Sequence, residues 1–538
     1  MRSMRQGNIA ARAALSAVVC SGALAGCGGG GGGAAAAPPP PPASSSGWIA
    51  GLFLDADTFA AQCVAPRTGN DPATGLPYPD LPGAVVDENN WLRSWSNDLY
   101  LWYDEIVDRD PGLYTTSNYF NLLTTNAVTA SGARRDKFHF SVPTDEWQLQ
   151  SQSGVSAGYG VDWSFVSLAP PREAIVAFTE PGSPADAAGL ARGARLLGID
   201  GFDFVNDGSQ SAAAVLNAAL FPDEAGETHI FEVRDLGAST SREITLQSAN
   251  VTSVPVPEVA TIDTLSGPVG YVLFNRHIAT AERALFDAMA TLDAANVVDL
   301  VLDLRYNGGG FLVIASQLAY MVAGDVPTAG RTFEEIVFND KHPSTNPVTG
   351  TPLGPLPFAN TTVGLSSAAG QQLPSLDLPR VFVLTGPDTC SASESVINSL
   401  RGVDVEVIQI GSTTCGKPYG FFPADNCGTT YFSIQFRGEN AKGFGDYSDG
   451  FSPLSTAGPQ GELLPGCAVA DDYTRALGDP AEARLAAALA YRETQSCPTP
   501  SGFAAPGLSS LSKAVAPPSA PEGRLLRSPW HENRILAQ

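Results

Sequence analysis

Between residues 255 and 497 short apolar runs alternate with helical segments, and few folds accept that alternation. The runs VVDLVLDLRYN, RVFVLTG and VEVIQIGS are rich in Val, Ile and Leu, as in strands that are buried on both faces. The segments FLVIASQLAYMVAG and ASESVINSLRG follow two of these runs and have the apolar spacing of helices. The pattern predicts an α/β core over residues 255–497.

Two strand-to-helix junctions in this core carry small residues. The first, DLRYNGGG at 303–310, has a glycine run that lets backbone N–H groups approach a ligand closely, as an oxyanion hole requires. The second, TCSASE at 389–394, opens a helix, where the positive end of the helix dipole stabilises an alkoxide. Ser391 and Ser393 are therefore candidate nucleophiles, although most serines at such positions are helix caps.

The chain has few side chains that could activate a serine hydroxyl. None of its five histidines lies in a recognisable triad motif. Among its five lysines, Lys417 alone lies in a small-residue motif, TTCGKP, just after a predicted strand. A lysine held in an apolar pocket loses the solvation of its charged form, so its pKa falls from about 10.4 and it can act as a general base. A lysine in a solvated loop would instead be a surface charge.

The segment around Lys417 also has the spacing of a phosphate-binding loop, because Gly411 precedes Gly416 and Lys417 by the usual interval. However, Pro418 replaces the hydroxyl residue of that loop, and Pro423 is unsuited to the helix that should follow it. The sequence therefore predicts no nucleotide site, and we expect no cofactor.

The region 151–250 has strand-like runs, IVAF, HIFEVRD and REITLQ, separated by Gly/Pro turns. Its residues Gly158, Tyr159, Gly160 and Val161, followed by EPGSPADAAGLARGARLLGIDG, resemble a PDZ domain. In such a domain the glycine-rich turn offers N–H groups to the C-terminal carboxylate of a peptide that adds as a strand. The alternative is a small β-domain that only spaces its neighbours, or a PDZ domain that serves regulation.

The N-terminus has a basic stretch and a short apolar segment that together predict a signal peptide at 1–26. It ends in LAGC, which resembles a bacterial lipobox and predicts acylation of Cys27. The alternative is an ordinary secretory signal with a chance cysteine. The residue after Cys27 is Gly28 and not Asp. By the same resemblance, this favours a location in the cell envelope, on the periplasmic face of the outer membrane.

Three further regions complete the predicted organisation. Residues 27–47 are a Gly/Ala/Pro/Ser-rich flexible tether, and residues 498–538 are a low-complexity tail. Residues 48–150 are predicted to be mostly helical, with a buried aromatic stripe at helical spacing. The stripe consists of Trp91, Trp95, Leu99, Trp102 and Ile106.

Charge and cysteine content exclude some partners. With 31 Lys+Arg against 55 Asp+Glu, the net charge of -24 repels nucleic acid and anionic lipid headgroups, so we expect membrane contact through the lipid anchor alone. Six cysteines lie beyond the signal peptide and the anchor, and no CxxC or Cys/His spacing indicates zinc. We therefore expect disulfides and no metal site.

DLVLDLRYNGGG, TCSASE and GSTTCGKPYG, in this order and after a PDZ-like unit, resemble the carboxyl-terminal processing proteases, or tail-specific proteases, of peptidase family S41. The resemblance extends over roughly residues 85–497. It implies a core like that of ClpP and the crotonases, with Ser391 as nucleophile and Lys417 as general base. It also implies an oxyanion hole formed by the N–H groups of Gly309 and Ala392.

The same resemblance assigns supporting roles to Asp303, Arg305 and Glu394, which match family positions near the site. Many members place a Gln four residues after the lysine, where this chain has Phe421. The group that orients Lys417 is therefore unassigned.

Two cysteines bracket the predicted dyad. Cys390 directly precedes Ser391, and Cys415 lies two residues before Lys417. A local Cys415–Cys427 bridge is our first expectation. A Cys390–Cys415 bridge is the alternative, and it would tie the two catalytic segments together.

The predicted function is a serine endopeptidase that cleaves envelope proteins or peptides recognised at free C-termini. The alternatives are a non-catalytic scaffold on the same fold and a PDZ-based envelope adaptor. A scaffold needs neither Ser391 nor Lys417, and an adaptor leaves the GGG and SASE junctions unexplained. The sequence does not predict the oligomeric state.

Overall fold

The computed structural model describes residues 48–72, 74–457, 461–498 and 533–535. The predicted signal peptide and tether, with Cys27, lie outside the described residues, as does most of the predicted tail. None of the described helices combines the length and the apolar character needed to cross a bilayer.

The region 48–150 is less helical than predicted. Trp91, Trp95 and Leu99 are buried as expected, but their helix ends at Leu99, and Trp102 lies beyond it. Five prolines between residues 66 and 82 exclude a helix from much of the remainder. The elements are β1 (Gln62–Cys63), β2 (Leu81–Pro82), α1 (Val85–Leu99), α2 (Thr116–Phe120), β3 (Phe140–Pro143) and α3 (Thr144–Ser153), with 3-10 turns at Ala56–Thr58, Tyr103–Glu105 and Pro111–Leu113.

The next part of the chain folds around a hydrophobic core of its own. Its elements are β4 (Val155–Gly158), β5 (Val161–Ser167), β6 (Glu173–Thr179), α4 (Pro184–Ala187), β7 (Arg195–Ile199), β8 (Phe202–Asp203), α5 (Gln210–Leu220), β9 (Thr228–Arg234), β10 (Arg242–Gln247) and β11 (Ala249–Thr252). An antiparallel sheet has the order β10-β9-β7-β6-β5, with β8 beside β7, and β4 pairs separately with β11. The three predicted strands are confirmed as β6, β9 and β10. We call this part the middle unit.

The remaining elements form the predicted α/β core. They are β12 (Glu258–Ile262), β13 (Val269–Leu273), α6 (Ala281–Ala294), β14 (Asp299–Asp303), β15 (Gly309–Phe311), α7 (Leu312–Ala323), α8 (Asp325–Thr328), β16 (Thr332–Val337), β17 (Leu356–Pro357), β18 (Arg380–Thr385), α9 (Ala392–Gly402), β19 (Glu406–Gly411), β20 (Tyr419–Gly420), β21 (Ala424–Asn426), β22 (Thr429–Phe432), β23 (Phe436–Glu439), β24 (Phe451–Pro453), β25 (Glu462–Leu464), β26 (Gly466–Ala468) and α10 (Ala483–Thr494). A last strand, β27 (Asn533–Ile535), follows in the tail.

A six-stranded sheet in the order β12-β13-β14-β18-β19-β26 forms the centre of this core, and all its pairings except β12–β13 are parallel. Every residue of β13 and β14 is buried, as expected of strands covered on both faces. One hydrophobic cluster includes side chains of α6, α7 and α9, and another includes α10. The predicted α/β class is confirmed.

The strand order explains why three distant motifs meet. Strands β14, β18 and β19 are parallel neighbours, so their carboxyl ends share one edge of the sheet. The segments 303–310, 389–394 and 413–418 begin within four residues of these three ends. A site at the carboxyl edge of a parallel sheet is the common arrangement in α/β proteins.

Three disulfides join the six cysteines that lie in the described residues. They are Cys63–Cys427, Cys390–Cys415 and Cys467–Cys497. Our first expectation, Cys415–Cys427, is wrong, and the alternative holds. The reason is strand adjacency: the loops after β18 and β19 bring the Cα atoms of Cys390 and Cys415 to 5.1 Å, while Cys427 lies beside Cys63 of β1.

Candidate active site

Ser391 lies in the turn between β18 and α9. Its backbone has φ 62° and ψ -115°, a left-handed conformation that is rare for a residue with a side chain and that often marks functional sites. Its side chain is fully buried and does not cap α9. Within the described part of the chain, its Oγ has no hydrogen-bond partner. The helix-cap alternative therefore does not explain this hydroxyl.

Ser393, the other candidate, has a structural bond instead. Its Oγ donates to the backbone carbonyl of Asn307 at 3.0 Å, and the N–H of Cys390 donates to the same carbonyl at 3.0 Å. These two bonds fasten the glycine-rich segment to the turn that carries Ser391.

Lys417 is fully buried, so it is not the solvated surface charge of the alternative interpretation. Its Nζ lies 4.7 Å from the ring centroid of Phe138 and 4.4 Å from that of Phe421. Loss of hydration favours the neutral amine, while the two ring faces favour the ammonium ion. Phe421, which replaces the usual Gln, is thus one wall of the lysine pocket.

Glu394 connects the serine segment to the lysine segment. Its Oε2 accepts the N–H groups of Ser391 at 2.9 Å and Lys417 at 2.8 Å. Its Oε1 accepts the Thr414 hydroxyl at 2.5 Å and the Gly416 N–H at 2.9 Å. Complete burial raises the pKa of Glu394, while these four donors oppose the rise. The disulfide Cys390–Cys415 joins the same two segments covalently.

The two predicted oxyanion donors differ in their surroundings. Ala392 is the first residue of α9, where backbone N–H groups have no partner within the helix. The N–H of Gly309 donates to Oδ1 of Asn307 at 3.0 Å. It is therefore directed at a side chain of its own loop.

His277 is a residue of this site that the sequence analysis missed. Its Nδ1 lies 3.0 Å from the same Oδ1 of Asn307, and burial lowers the pKa of the ring to about 3. Because that oxygen accepts from Gly309, the neutral ring is the donor to it. Its position in the sequence could have indicated this role, because His277 closely follows the end of β13, and β13 is the neighbour of β14 in the sheet.

Asp303 and Arg305 belong to a separate buried network. Arg305 binds Asp303 through Nη2 at 2.9 Å, and Glu482 and Asp471 through Nη1 at 2.9 and 2.8 Å. Burial opposes ionisation of Asp471, but Arg484, Arg305 and Arg192 together hold its pKa well below the ordinary range. This network fixes the end of β14, and among the described residues none of its hydrogen bonds or ion pairs reaches Glu394.

The predicted peptide-binding turn lies in the middle unit, away from these contacts. Gly158, Tyr159, Gly160 and Val161 line a cleft of about 400 Å³ with Phe165, Leu220, Arg276, Asp388 and others. Gly160 has φ 72°, and an added Cβ would lie 2.2 Å from Ser183 Cβ, so glycine is required there. Among the described residues, the lining does not include Ser391 or Lys417, but Asp388 belongs to the loop that leads to Ser391.

One group of potential metal ligands occurs at the site. Glu394 lies close to the sulfurs of Cys390 and Cys415. Both sulfurs belong to the disulfide and cannot act as thiolate ligands. These residues are therefore a poor match for a metal ion.

Comparison with known proteins adds a family. Residues 268–420 match the model of peptidase family S41. The chain is 27% identical over 269 residues to the carboxyl-terminal-processing protease of Picosynechococcus sp., covering 50% of this chain and 56% of the relative. It is 30% identical over 161 residues to the chloroplastic carboxyl-terminal-processing peptidase 2 of Arabidopsis thaliana, covering 29% of each.

A solved structure shares the fold. A Bacteroides fragilis protein assigned to the S41 proteases superimposes with a TM-score of 0.56 at 22% identity, over 78% of this chain and 98% of that one. The chain spans only about half the length of its first curated relative. The family match bears out the resemblance over residues 268–420, which match a peptidase family S41 domain, and the shared fold agrees with it.

Proposed function

We propose that this chain is a serine endopeptidase with a Ser-Lys dyad, in which Ser391 is the nucleophile and Lys417 the general base. The observation that carries the proposal is the Glu394 carboxylate, which accepts the backbone N–H groups of both residues through one oxygen. A binding scaffold has no need for a strained serine and a buried lysine held in this way. The family match and the names of the curated relatives support a protease function, which the proposal requires.

The reaction is acyl transfer. Neutral Lys417 takes the proton of the Ser391 hydroxyl as Oγ bonds to the carbonyl carbon of the scissile peptide. The proton passes to the leaving nitrogen as the C–N bond breaks, and water then hydrolyses the ester and restores the hydroxyl. Burial of Lys417 excludes water and so favours the unprotonated amine, which in the proposal outweighs the attraction of the two ring faces for the ammonium ion.

The developing oxyanion needs N–H donors, and we assign them to Ala392 and Gly309. For Gly309 this requires release of its bond to Asn307. His277 also binds Asn307, so the orientation of this amide decides whether the donor faces the substrate. Asn307 is thus a positioning residue in the proposal.

We assign substrate recognition to the middle unit, interpreted as a PDZ domain. Its strand β5 stands at one end of the sheet order, where an extended peptide can add as a further strand. The turn 158–161 and the apolar side chains of Phe165 and Leu220 line one cleft beside it. Binding of a free carboxylate at that turn would select the C-terminal tails of substrates. For the separate α/β core, we propose the ClpP/crotonase type of fold.

The dyad is tested by hydrolysis of a peptide with a free apolar C-terminus. Ser391→Ala should reduce kcat/KM by roughly a thousandfold or more. The matched control is Ser399→Ala, a buried serine of α9 whose hydroxyl donates to the Val396 carbonyl of the same helix, and it should retain most of the activity. Lys417→Ala and Lys417→Arg should both be inactive, because arginine stays charged. Undiminished hydrolysis by Ser391→Ala would refute the assignment.

Tail recognition is tested separately with the same peptide carrying a C-terminal amide. If the middle unit captures carboxylates, the amide should be cleaved with a higher KM and little change in kcat. Equal KM values for the two peptides would reject this role and leave the dyad intact.

We also propose acylation of Cys27 and location in the cell envelope. The proposal depends on the LAGC sequence alone. Labelling with a radioactive fatty acid should mark the wild type and not Cys27→Ser, and only the wild type should fractionate with membranes.

A further inference from the structure

The tail of this chain contributes a strand to the candidate active site. Strand β27 pairs in parallel with β15, with Asn533 opposite Gly309, Arg534 opposite Gly310 and Ile535 opposite Phe311. Strand β15 is the end of the glycine-rich segment in which we place an oxyanion donor. The pairing therefore places a segment from far along the chain at the centre of the proposed chemistry.

The pairing uses the edge of β15 that the rest of the core leaves available. On its other edge β15 forms a bridge with His277. The N–H of His277 donates to the carbonyl of Gly309, and the N–H of Phe311 donates to the carbonyl of His277. Successive residues of a strand direct their backbone groups to opposite sides. Gly310 therefore directs its N–H and C=O toward β27.

The surroundings of β27 connect it to both members of the dyad. Besides β15, it lies against α9 and β20. Helix α9 begins directly after Ser391, and β20 begins two residues after Lys417. Ser391 is fully buried, so an external peptide can reach its hydroxyl only if a covering part of the chain leaves.

We propose that the free edge of β15 is the peptide-binding strand of the active site, and that the segment Asn533–Ile535 of the same chain occupies it as an intramolecular ligand. Recognition is through the main chain, as in other cases of strand addition. External peptides bind only after this segment is displaced. That this strand binds substrates for cleavage rests on the proposed function. That Asn533–Ile535 occupies its free edge does not.

Charge and tethering favour this occupant. Residues 521–538 contain three arginines and two acidic residues, a net charge of +1, in a chain whose net charge is -24. The segment is joined to the core through residues 499–532, so its binding is intramolecular, and effective concentrations of such ligands can reach the mM range. A free peptide of the same sequence must compete against that concentration.

Binding can be measured without catalysis. In full-length Ser391→Ala protein, the probe is a fluorescent peptide with the sequence of residues 529–538, and its Kd is obtained by anisotropy. The register places the N–H of Ile535 toward the carbonyl of Gly310, so Ile535→Pro removes a donor that the pairing needs. The matched control is Ala514→Pro, in the same tail but outside β27.

We expect the Ile535→Pro variant to bind the probe on the order of tenfold more tightly than the Ser391→Ala parent, and Ala514→Pro to bind like the parent. Equal affinities in all three proteins would overturn the proposal. If Ile535→Pro misfolds, deletion of residues 533–538 replaces it. Because every arm is catalytically inactive, the result does not depend on the peptidase assay, and a wild type that cleaves no peptide would refute the proposed function alone.

Discussion

At the scale of single residues, Glu394 is the side chain on which the geometry of the proposed dyad depends most. Each of its oxygens accepts two donors, so the site needs four acceptor positions and no donor. The family resemblance predicts a supporting role for Glu394, but it does not predict which groups Glu394 binds. Those partners become neighbours only because β18 and β19 are adjacent, which no local spacing reveals.

Glu394→Gln should therefore be far more damaging than its small change of shape suggests. Whichever way the amide is turned, its NH₂ group faces two donors, and each buried donor left unpaired costs about 1–3 kcal/mol. We expect kcat/KM to fall on the order of a hundredfold, since the amide leaves either the N–H groups of Ser391 and Lys417 or the donors of Thr414 and Gly416 without an acceptor, and both pairs hold the serine and lysine segments together. Peptide hydrolysis and urea unfolding measure both effects. Glu406→Gln, at an exposed position of β19, is the control, and equal activities of the two variants would contradict this role.

His277 should make the stability of the fold depend on pH. Burial lowers its pKa to about 3 in the folded protein. Between this value and its ordinary pKa of about 6.5, the ring is protonated in the unfolded chain and neutral in the folded chain. The free energy of unfolding should decrease as the pH falls from 6.5 toward 3, by up to about 1.4 kcal/mol per pH unit, and this contribution should be constant above 6.5. Urea unfolding between about pH 7 and pH 5 measures the slope.

The comparison that isolates His277 is the difference in slope between wild type and His277→Gln. Burial also lowers the pKa of His139, which contributes with the same sign in both proteins and cancels in the difference. Identical slopes would show that His277 carries no such linkage.

At the scale of elements, the sequence predicts much because the relevant patterns are local. The runs that became β14, β18 and β19 and the helices α7 and α9 are continuous segments with clear periodicity. The features that the sequence does not predict depend on contacts between distant parts of the chain. Phe138, which forms a wall of the lysine pocket, reaches the core because β3 pairs with β22, and the pairing of Cys63 with Cys427 also joins the first region to the core.

The disulfide Cys390–Cys415 acts between elements, because it joins the loops after β18 and β19 across 25 residues of sequence. Replacing both cysteines by alanine should lower the free energy of unfolding by about 3 kcal/mol. It should also lower kcat/KM by roughly tenfold, a partial loss, because Glu394 still holds the two segments together. Peptide hydrolysis and urea unfolding of the double variant check both values.

The control is the double variant Cys467→Ala/Cys497→Ala, which removes a disulfide of similar span, 30 residues, whose cysteines do not flank the proposed dyad. It should lose stability without a matching loss of kcat/KM. A catalytic loss of the same size in both double variants would mean that the bridge beside Ser391 acts only through overall stability.

At the scale of the whole molecule, the proposed dyad and the occupied strand together make the tail a substrate in cis. Attack by Ser391 Oγ on a carbonyl near β27 transfers the hydroxyl proton to Lys417 and then to the leaving nitrogen, and water releases the shortened chain. Wild-type protein should therefore lose its last residues on incubation, while Ser391→Ala keeps them. Intact-mass spectrometry over time measures this, and the new C-terminus should lie within residues 530–535.

Because the strand belongs to the same molecule, the reaction should be first order, with a rate constant that does not change when the protein is diluted. A wild type that cleaves added peptide yet keeps the full mass would mean that the paired segment lies in a register that Ser391 cannot attack. A rate that falls on dilution would mean that the tail of one molecule enters the site of another.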